Sequence, residues 1–239
     1  MDVPQDTPDQ VIPDIESFIR AAARVRQTPD ELWMFRGHAD ASWPLHPKID
    51  RLDCLRYRTA EHISRLDHEK RLLWHFKKWG APHLVRGLDE WELIAIAQHH
   101  GLVTRLLDWT ANPLTGLFFA VEDDRETDFA VWMFKQLPDE ASWVSFPKGP
   151  LSANKLVSFD PPHVTSRIPS QAAKFTAHPP DMDANESPWP GALVKLVFKS
   201  KDRLLFRNRL RNLGVSHATL FPDLDGITAT LNTTYSRTK

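Results

Sequence analysis

The 239 residues carry a formal net charge of −1, and 41% are hydrophobic against 26% charged. These totals fit a chain with a real core, exclude wholesale disorder and argue against a general polyanion binder. A single cysteine, Cys54, excludes an internal disulfide framework and any cysteine-based metal site. No apolar run nears the about 18 residues of a membrane span, and no signal peptide is recognisable, so a cytoplasmic protein without membrane contact is expected.

Residues 1–13 are polar and proline-bearing and are expected to form a loose lead-in, followed by one domain over residues 14–239. From Asp14 to Arg26, the residues Ile15, Phe18, Ile19, Ala22 and Ala23 fall on one helical face. Leu32 to Gly37 (LWMFRG) predicts a strand that delivers Arg36 to a sheet edge. Gly37 there allows close backbone approach or a positive φ. His38 to Arg51 reads as a structured loop. Arg58 to Trp79 is the longest helical candidate, with Leu66, Leu73, Phe76 and Trp79 as its stripe and Gly80 as its end. Trp91 to His100 predicts a second helix stopped by Gly101. Asn112 and Pro113 form an N-cap followed by a first-position proline, opening a helix that buries Leu114, Leu117, Phe118 and Val121.

Phe129 to Phe134 is an apolar strand, and Trp143 to Phe146 a second candidate. The proline-rich residues 160–190 read as loop, with one helical turn within Arg167 to Phe175. Gly191 to Phe198 predicts a strand. Lys201 to Leu213 predicts a helix with Leu204, Leu205, Leu210 and Leu213 apolar, closed by Gly214. Arg203, Arg207 and Arg211 form a basic stripe on it, read as a solvated face, with nucleic-acid contact as the sharper alternative. A last helix starts near Pro222, with Asp223 and Asp225 favourably placed against its dipole. The elements do not alternate as βαβ units. The expected class is therefore α+β: a single mixed domain with a small antiparallel or mixed sheet flanked by helices.

The stretch from Ala97 to Ala120 is unusual because polar and bulky apolar groups interrupt each other closely. Charged groups driven to a core margin must be paired, because burying one alone costs several kcal/mol or more, roughly. A functional site accommodates that cost. HExxH, GxSxG, a phosphate-binding lysine loop and a dinucleotide glycine fingerprint are all missing from the sequence. What remains is a set of polar residues at element ends: Arg36, Gln98, His100, Thr104, Arg105, Asp108, Gln171, Asp223 and Asp225, with Trp109 beside them. Arg36 and Arg105 are candidates to grip phosphate, and Gln98 and His100 to bond sugar or base. Equally, Arg105 and Asp108 could pair with each other across a turn between two helices, with Trp109 capping the core. A third arrangement uses Asp108, Asp223 and Asp225 to hold Mg²⁺ in a hydrolase or nuclease.

Phe35-Arg36-Gly37, Gln98-His99-His100-Gly101, Thr104 to Thr110 (TRLLDWT) and Asn112-Pro113-Leu114 resemble the FRG domain family, named for its (F/Y)RG triplet. The resemblance continues through Trp43 to Arg51, Arg167-Ile168, Gln171, Phe175 and Leu220 to Gly226, covering the chain from about residue 16 onward. The order of parts is in turn similar to ADP-ribosyltransferases. That likeness implies NAD as substrate in a nucleotide-binding cleft, a possible protein or nucleic-acid target, and a bacterial or phage toxin or defence role. It gives Arg36 the NAD clamp, Thr104 and Arg105 the middle brace, and Asp223 or Asp225 the late catalytic acid. No paired glutamate motif follows, since the last glutamate is Glu186. A non-enzymatic module that senses a nucleotide or nucleic acid remains the rival.

Overall fold

Trp33–His38 (β2) lies in the middle of a seven-stranded sheet in the computed structural model, which describes residues 10–25, 31–51, 64–135, 149–161, 163, 165–179, 189 and 191–235. The other strands are Gln10–Val11 (β1), Leu106–Thr110 (β3), Phe129–Lys135 (β4), Val157–Phe159 (β5), Ala173–Ala177 (β6) and Leu193–Phe198 (β7). Their order is β1-β7-β4-β2-β3-β6-β5, with β1 parallel to β7 and every other pair antiparallel. The sheet is therefore mixed and the class α+β, as expected, but the sheet is larger than expected.

Helices Ile15–Val25 (α1), Pro113–Val121 (α5) and Arg203–Asn212 (α7) pack on β2, β4 and β7. Arg65–Gly80 (α3) and Glu90–His99 (α4) pack on β3, β5 and β6 through Leu73, Trp91, Ile94, Phe159 and Phe175. Short helices Lys48–Arg51 (α2), Arg167–Ser170 (α6) and His217–Leu220 (α8) link these layers, and Leu224–Tyr235 (α9) packs on α8. No helix among the described residues is long and apolar enough to cross a membrane.

Local sequence explains the helix ends that frame the site. Asp89 and Glu92 form a reciprocal capping box at the start of α4, and Gly101 at φ 84° turns the chain out of it. Asn112 Oδ1 accepts from the Leu114 N–H and Pro113 opens α5. Gly37 serves close approach: a Cβ there would lie 2.2 Å from the Gly116 carbonyl oxygen and 2.4 Å from the Ala120 nitrogen. Helix α5 thus rests on the backbone of β2, with Gly116 against Phe35 on the other side of the contact.

Several expectations need correction. Leu106–Thr110 is a strand, so Arg105 and Asp108 do not span a turn between helices. The loop over residues 38–51 ends in α2. Within Arg167 to Phe175, helix α6 stops at Ser170, Ala172 takes φ 46°, and β6 follows. The lead-in is held from Gln10, which pairs with Leu196. The long helix starts at Arg65 in the described part, while Trp143 to Phe146 and Glu186 lie outside the described residues. Trp79 is exposed rather than part of a buried stripe.

On α7, Phe206 and Leu210 are buried while Leu204, Leu205 and Leu213 are exposed. Of the basic stripe, Arg211 is exposed as expected, but Arg203 and Arg207 are not on a solvated face. Arg203 is buried over the Phe129 ring and donates to the carbonyls of Ala120, Ala39 and Thr127. Arg207 donates to the Val121 and Glu122 carbonyls and pairs with Asp124. Both satisfy carbonyls that the end of α5 leaves open, which is the reason that they point inward.

Candidate functional site

The cleft opens where the sheet is weakest. Strands β2 and β4 share six register pairs, whereas β2 and β3 share one, Phe35 with Thr110. Beside that pair Arg36 Nη1 reaches across the seam and donates to the Asp108 carbonyl at 2.6 Å, satisfying an acceptor that a continuous ladder would have used. Its Nε donates to His38 Nε2 at 3.2 Å, which places the His38 proton on Nδ1. Burial, with help from the Arg36 charge, holds the His38 pKa down at about 3, so this acceptor stays neutral. Burial also pulls on Arg36, opposed by Asp108, but a guanidinium stays charged at any ordinary pH.

Around Arg36 lies a cleft of about 380 Å³ lined by residues from both halves of the sheet. One wall is Gln98 and His99 from the end of α4 with Asp108 and Thr110 of β3. The other is Phe119 of α5, Arg167 and Gln171 of the α6 region, and Phe221 after α8. Asp108 pairs loosely with Arg36 at 3.7 Å, the two side chains being 58% and 17% exposed. Gln98 donates to Asp108 Oδ2 at 3.0 Å. Arg167 packs on the face of Phe221 at 5.2 Å and donates through Nε and Nη2 to Asp223, leaving Nη1. Burial and the neighbouring His100 and Arg167 lower the His99 pKa, so its imidazole is neutral near pH 7.

Of the residues expected to form the site, Arg36, Gln98, Asp108, Trp109 and Gln171 line the cleft. Trp109 is largely buried, its Nε1 donating to Thr176. Gln171 bonds the Leu220 carbonyl and accepts, through its own carbonyl, from Thr110 Oγ1. Thr104 is fully buried behind Gln98. His100 is exposed at the end of α4, and its neighbour His99 takes the wall position.

Arg105 cannot grip a phosphate. Its side chain is wholly buried and its Nε donates to Glu69 Oε2 at 2.7 Å, while its backbone N–H takes Oε1. Asp223 and Asp225 are not in the cleft lining. Asp223 caps α9 by accepting from the Gly226 N–H, and that bond, with Arg167, keeps its pKa low. Asp225 is exposed in the first turn of α9. Asp108 therefore stands apart from the two late acids, and no three His, Cys, Asp or Glu residues group as a metal site among the described residues. The sequence reading missed Arg167, His99, Phe119 and Phe221. Arg167 had a signal, an arginine at a helix start facing an FPD run, but the two lie 56 residues apart.

No curated protein and no solved structure matches the chain. The family model for the FRG domain matches residues 31–128, which include the Arg36, Gln98 and Asp108 wall, while Arg167, Gln171 and Phe221 come from beyond it. Residues 31–128 carry an FRG domain.

Proposed function

We propose that the cleft binds a dinucleotide of the NAD class and that the chain cleaves its nicotinamide–ribose bond, as ADP-ribosyltransferases do. The observation that carries this reading is the mixed charge of one small hollow: Arg36 and Arg167 stand with Asp108 between aromatic rings. Such a lining suits a ligand that is itself of mixed charge, an anionic diphosphate joined to a cationic pyridinium. A triphosphate would set several negative charges against Asp108. The remaining N–H groups of Arg36 and Nη1 of Arg167 suit phosphate oxygens. Phe119 offers ring surface to a base, while Phe221 backs the Arg167 guanidinium.

In this reading the C1′–N bond breaks with its electron pair leaving on nicotinamide, and positive charge grows on the ribose. Asp108, rather than Asp223 or Asp225, is the carboxylate that stabilises it. Water, or a nucleophile on a protein or nucleic-acid target, then supplies the new pair to C1′ and loses its proton to solvent. A toxin or defence role is consistent with such transfer.

Calorimetry with NAD and with ATP, beside nicotinamide release in the presence and absence of cell lysate, tests it. NAD should bind more tightly than ATP, Arg36→Ala should lose binding, and Asp108→Asn should bind yet release no nicotinamide. Wild-type chain that binds ATP and ignores NAD would make it a nucleotide sensor instead. Neither binding nor release would remove the nucleotide reading altogether.

A further inference from the structure

Thr104 is sealed from solvent, yet two hydrogen bonds in series join it to the carboxylate in the cleft, and a third anchors it to the backbone. The Leu106 backbone N–H donates to Thr104 Oγ1 at 3.0 Å, Thr104 Oγ1 donates to Gln98 Oε1 at 2.6 Å, and Gln98 Nε2 donates to Asp108 Oδ2 at 3.0 Å. We infer that Thr104 is a positioning residue that acts through Gln98 to aim Asp108 and hold it as an acceptor. This deepens the reading of Asp108 as the reacting carboxylate and rests on it.

The direction of the chain follows from what each group can do. A backbone N–H only donates, so Thr104 receives at its oxygen and keeps its proton free to give. An ionised carboxylate only accepts, so Gln98 must turn its NH₂ toward Asp108 and its carbonyl toward Thr104. Each end thus selects the same orientation of the Gln98 amide. Asp108 is held at two further points: Arg36 donates to its backbone carbonyl and sits 3.7 Å from Oδ2. Among the described residues nothing bonds Oδ1, which leaves that oxygen for the substrate. Remove the Thr104 hydroxyl and the Gln98 carbonyl loses its donor, so the amide is free to turn and Asp108 loses a fixed bond.

Thr104→Val keeps shape and removes the hydroxyl, Thr104→Ser restores it, and Gln98→Met breaks the chain on the cleft wall without altering the core. Two readouts separate the inference from the function it rests on. In NMR, the Gln98 side-chain amide signals identified by their loss in Gln98→Met should move in Asp108→Ala, move comparably in Thr104→Val, and return in Thr104→Ser. In nicotinamide release, Thr104→Val and Gln98→Met should lower kcat roughly 10- to 100-fold with KM for NAD little changed, the mark of lost positioning rather than lost binding. Gln98 signals that ignore Thr104→Val, or Thr104→Ser that fails to recover, overturn the inference. A Gln98 response to Thr104→Val, together with a wild-type chain that neither binds nor cleaves NAD, upholds the positioning and removes the proposed reaction. If Thr104→Val fails to fold, Gln98→Met decides: unchanged kcat would sink the relay.

Discussion

Two guanidinium–carboxylate pairs flank β3, and they are opposites. Arg105 and Glu69 meet at 2.7 Å with no exposure on either side, and the backbone of Arg105 takes the second oxygen. Arg36 and Asp108 stand 3.7 Å apart on the wall of an open cleft, with the guanidinium anchored to a carbonyl and a neutral histidine. In the first pair both carboxylate oxygens and the Nε and Nη1 donors are spent on the fold, and the remaining Nη2 is buried out of a ligand's reach. In the second the partners are held in place but not consumed, so donors remain for a ligand. The distinction between structure and site thus lies in whether the charged groups stay open to solvent and a ligand.

Breaking the sealed pair should have the largest effect. Glu69→Ala strands a buried guanidinium and should cost about 3–5 kcal/mol of stability in urea denaturation. Replacing both partners, Glu69→Met with Arg105→Met, should recover most of that. A loss below about 1 kcal/mol for the single change, the range of an exposed pair, would show that the pair is not structural.

Arg36→Ala sharpens the contrast from the other side. Removing charge-assisted bonds should weaken dinucleotide binding about 100-fold, since each is worth roughly 1.5–3 kcal/mol. Stability should fall by no more than about 1 kcal/mol, as for other partly exposed pairs. A melting shift as large as that of Glu69→Ala would erase the proposed difference between the regions.

Each region also carries a buried neutral histidine. His38 accepts from Arg36, and His178 donates its backbone N–H to the Arg105 carbonyl; burial lowers both pKa values to about 3. The unfolded chain takes up these protons near pH ~6.5. Their contribution to stability is therefore complete above that pH and is lost as pH falls through the window toward 3, because the unfolded state then binds more protons. Each should cost roughly 2 kcal/mol by pH ~5. Denaturation at both pH values, with His38→Gln and His178→Gln measured separately, should show each substitution flattening the dependence by about half. A slope that survives both changes would place the acid sensitivity elsewhere.

The smallest expected effect concerns the helix that carries Phe119. Arg207→Ala removes the guanidinium from the Val121 and Glu122 carbonyls and should cost about 1 kcal/mol, the scale of a cation at a helix C-terminus. Retention on nucleic acid should not change. Salt-dependent binding that weakens with Arg207→Ala would revive the basic stripe as a contact surface.

Much of the frame was legible along the chain. The capped starts at Asp89 and Asn112, the glycine stop at Gly101 and the apolar runs of β2, β4 and β7 depend on neighbours within a few residues. Leu106–Thr110 was not legible as a strand, because it alternates charged Asp108 with residues buried against both faces of the sheet. Ala173–Ala177 followed a helical turn too closely to stand out, and only the positive φ of Ala172 separates them. On α7, sequence periodicity could not choose between leucines and arginines for the inward face. The open carbonyls at the end of α5 made that choice.

The sequence by itself determined the FRG domain over residues 31–128, the mixed α+β class and the stretch where chemistry is concentrated, because caps, apolar runs and a residue-specific block are local facts. Tertiary structure alone decided which arginine faces a ligand. Glu69 lies 36 residues from Arg105 and Asp108 lies 72 from Arg36, so the spacing of neither pair marks it as sealed or open. Burial and geometry set how much of each charge is spent, and those appear only when the sheet has formed and parted at the seam between β2 and β3.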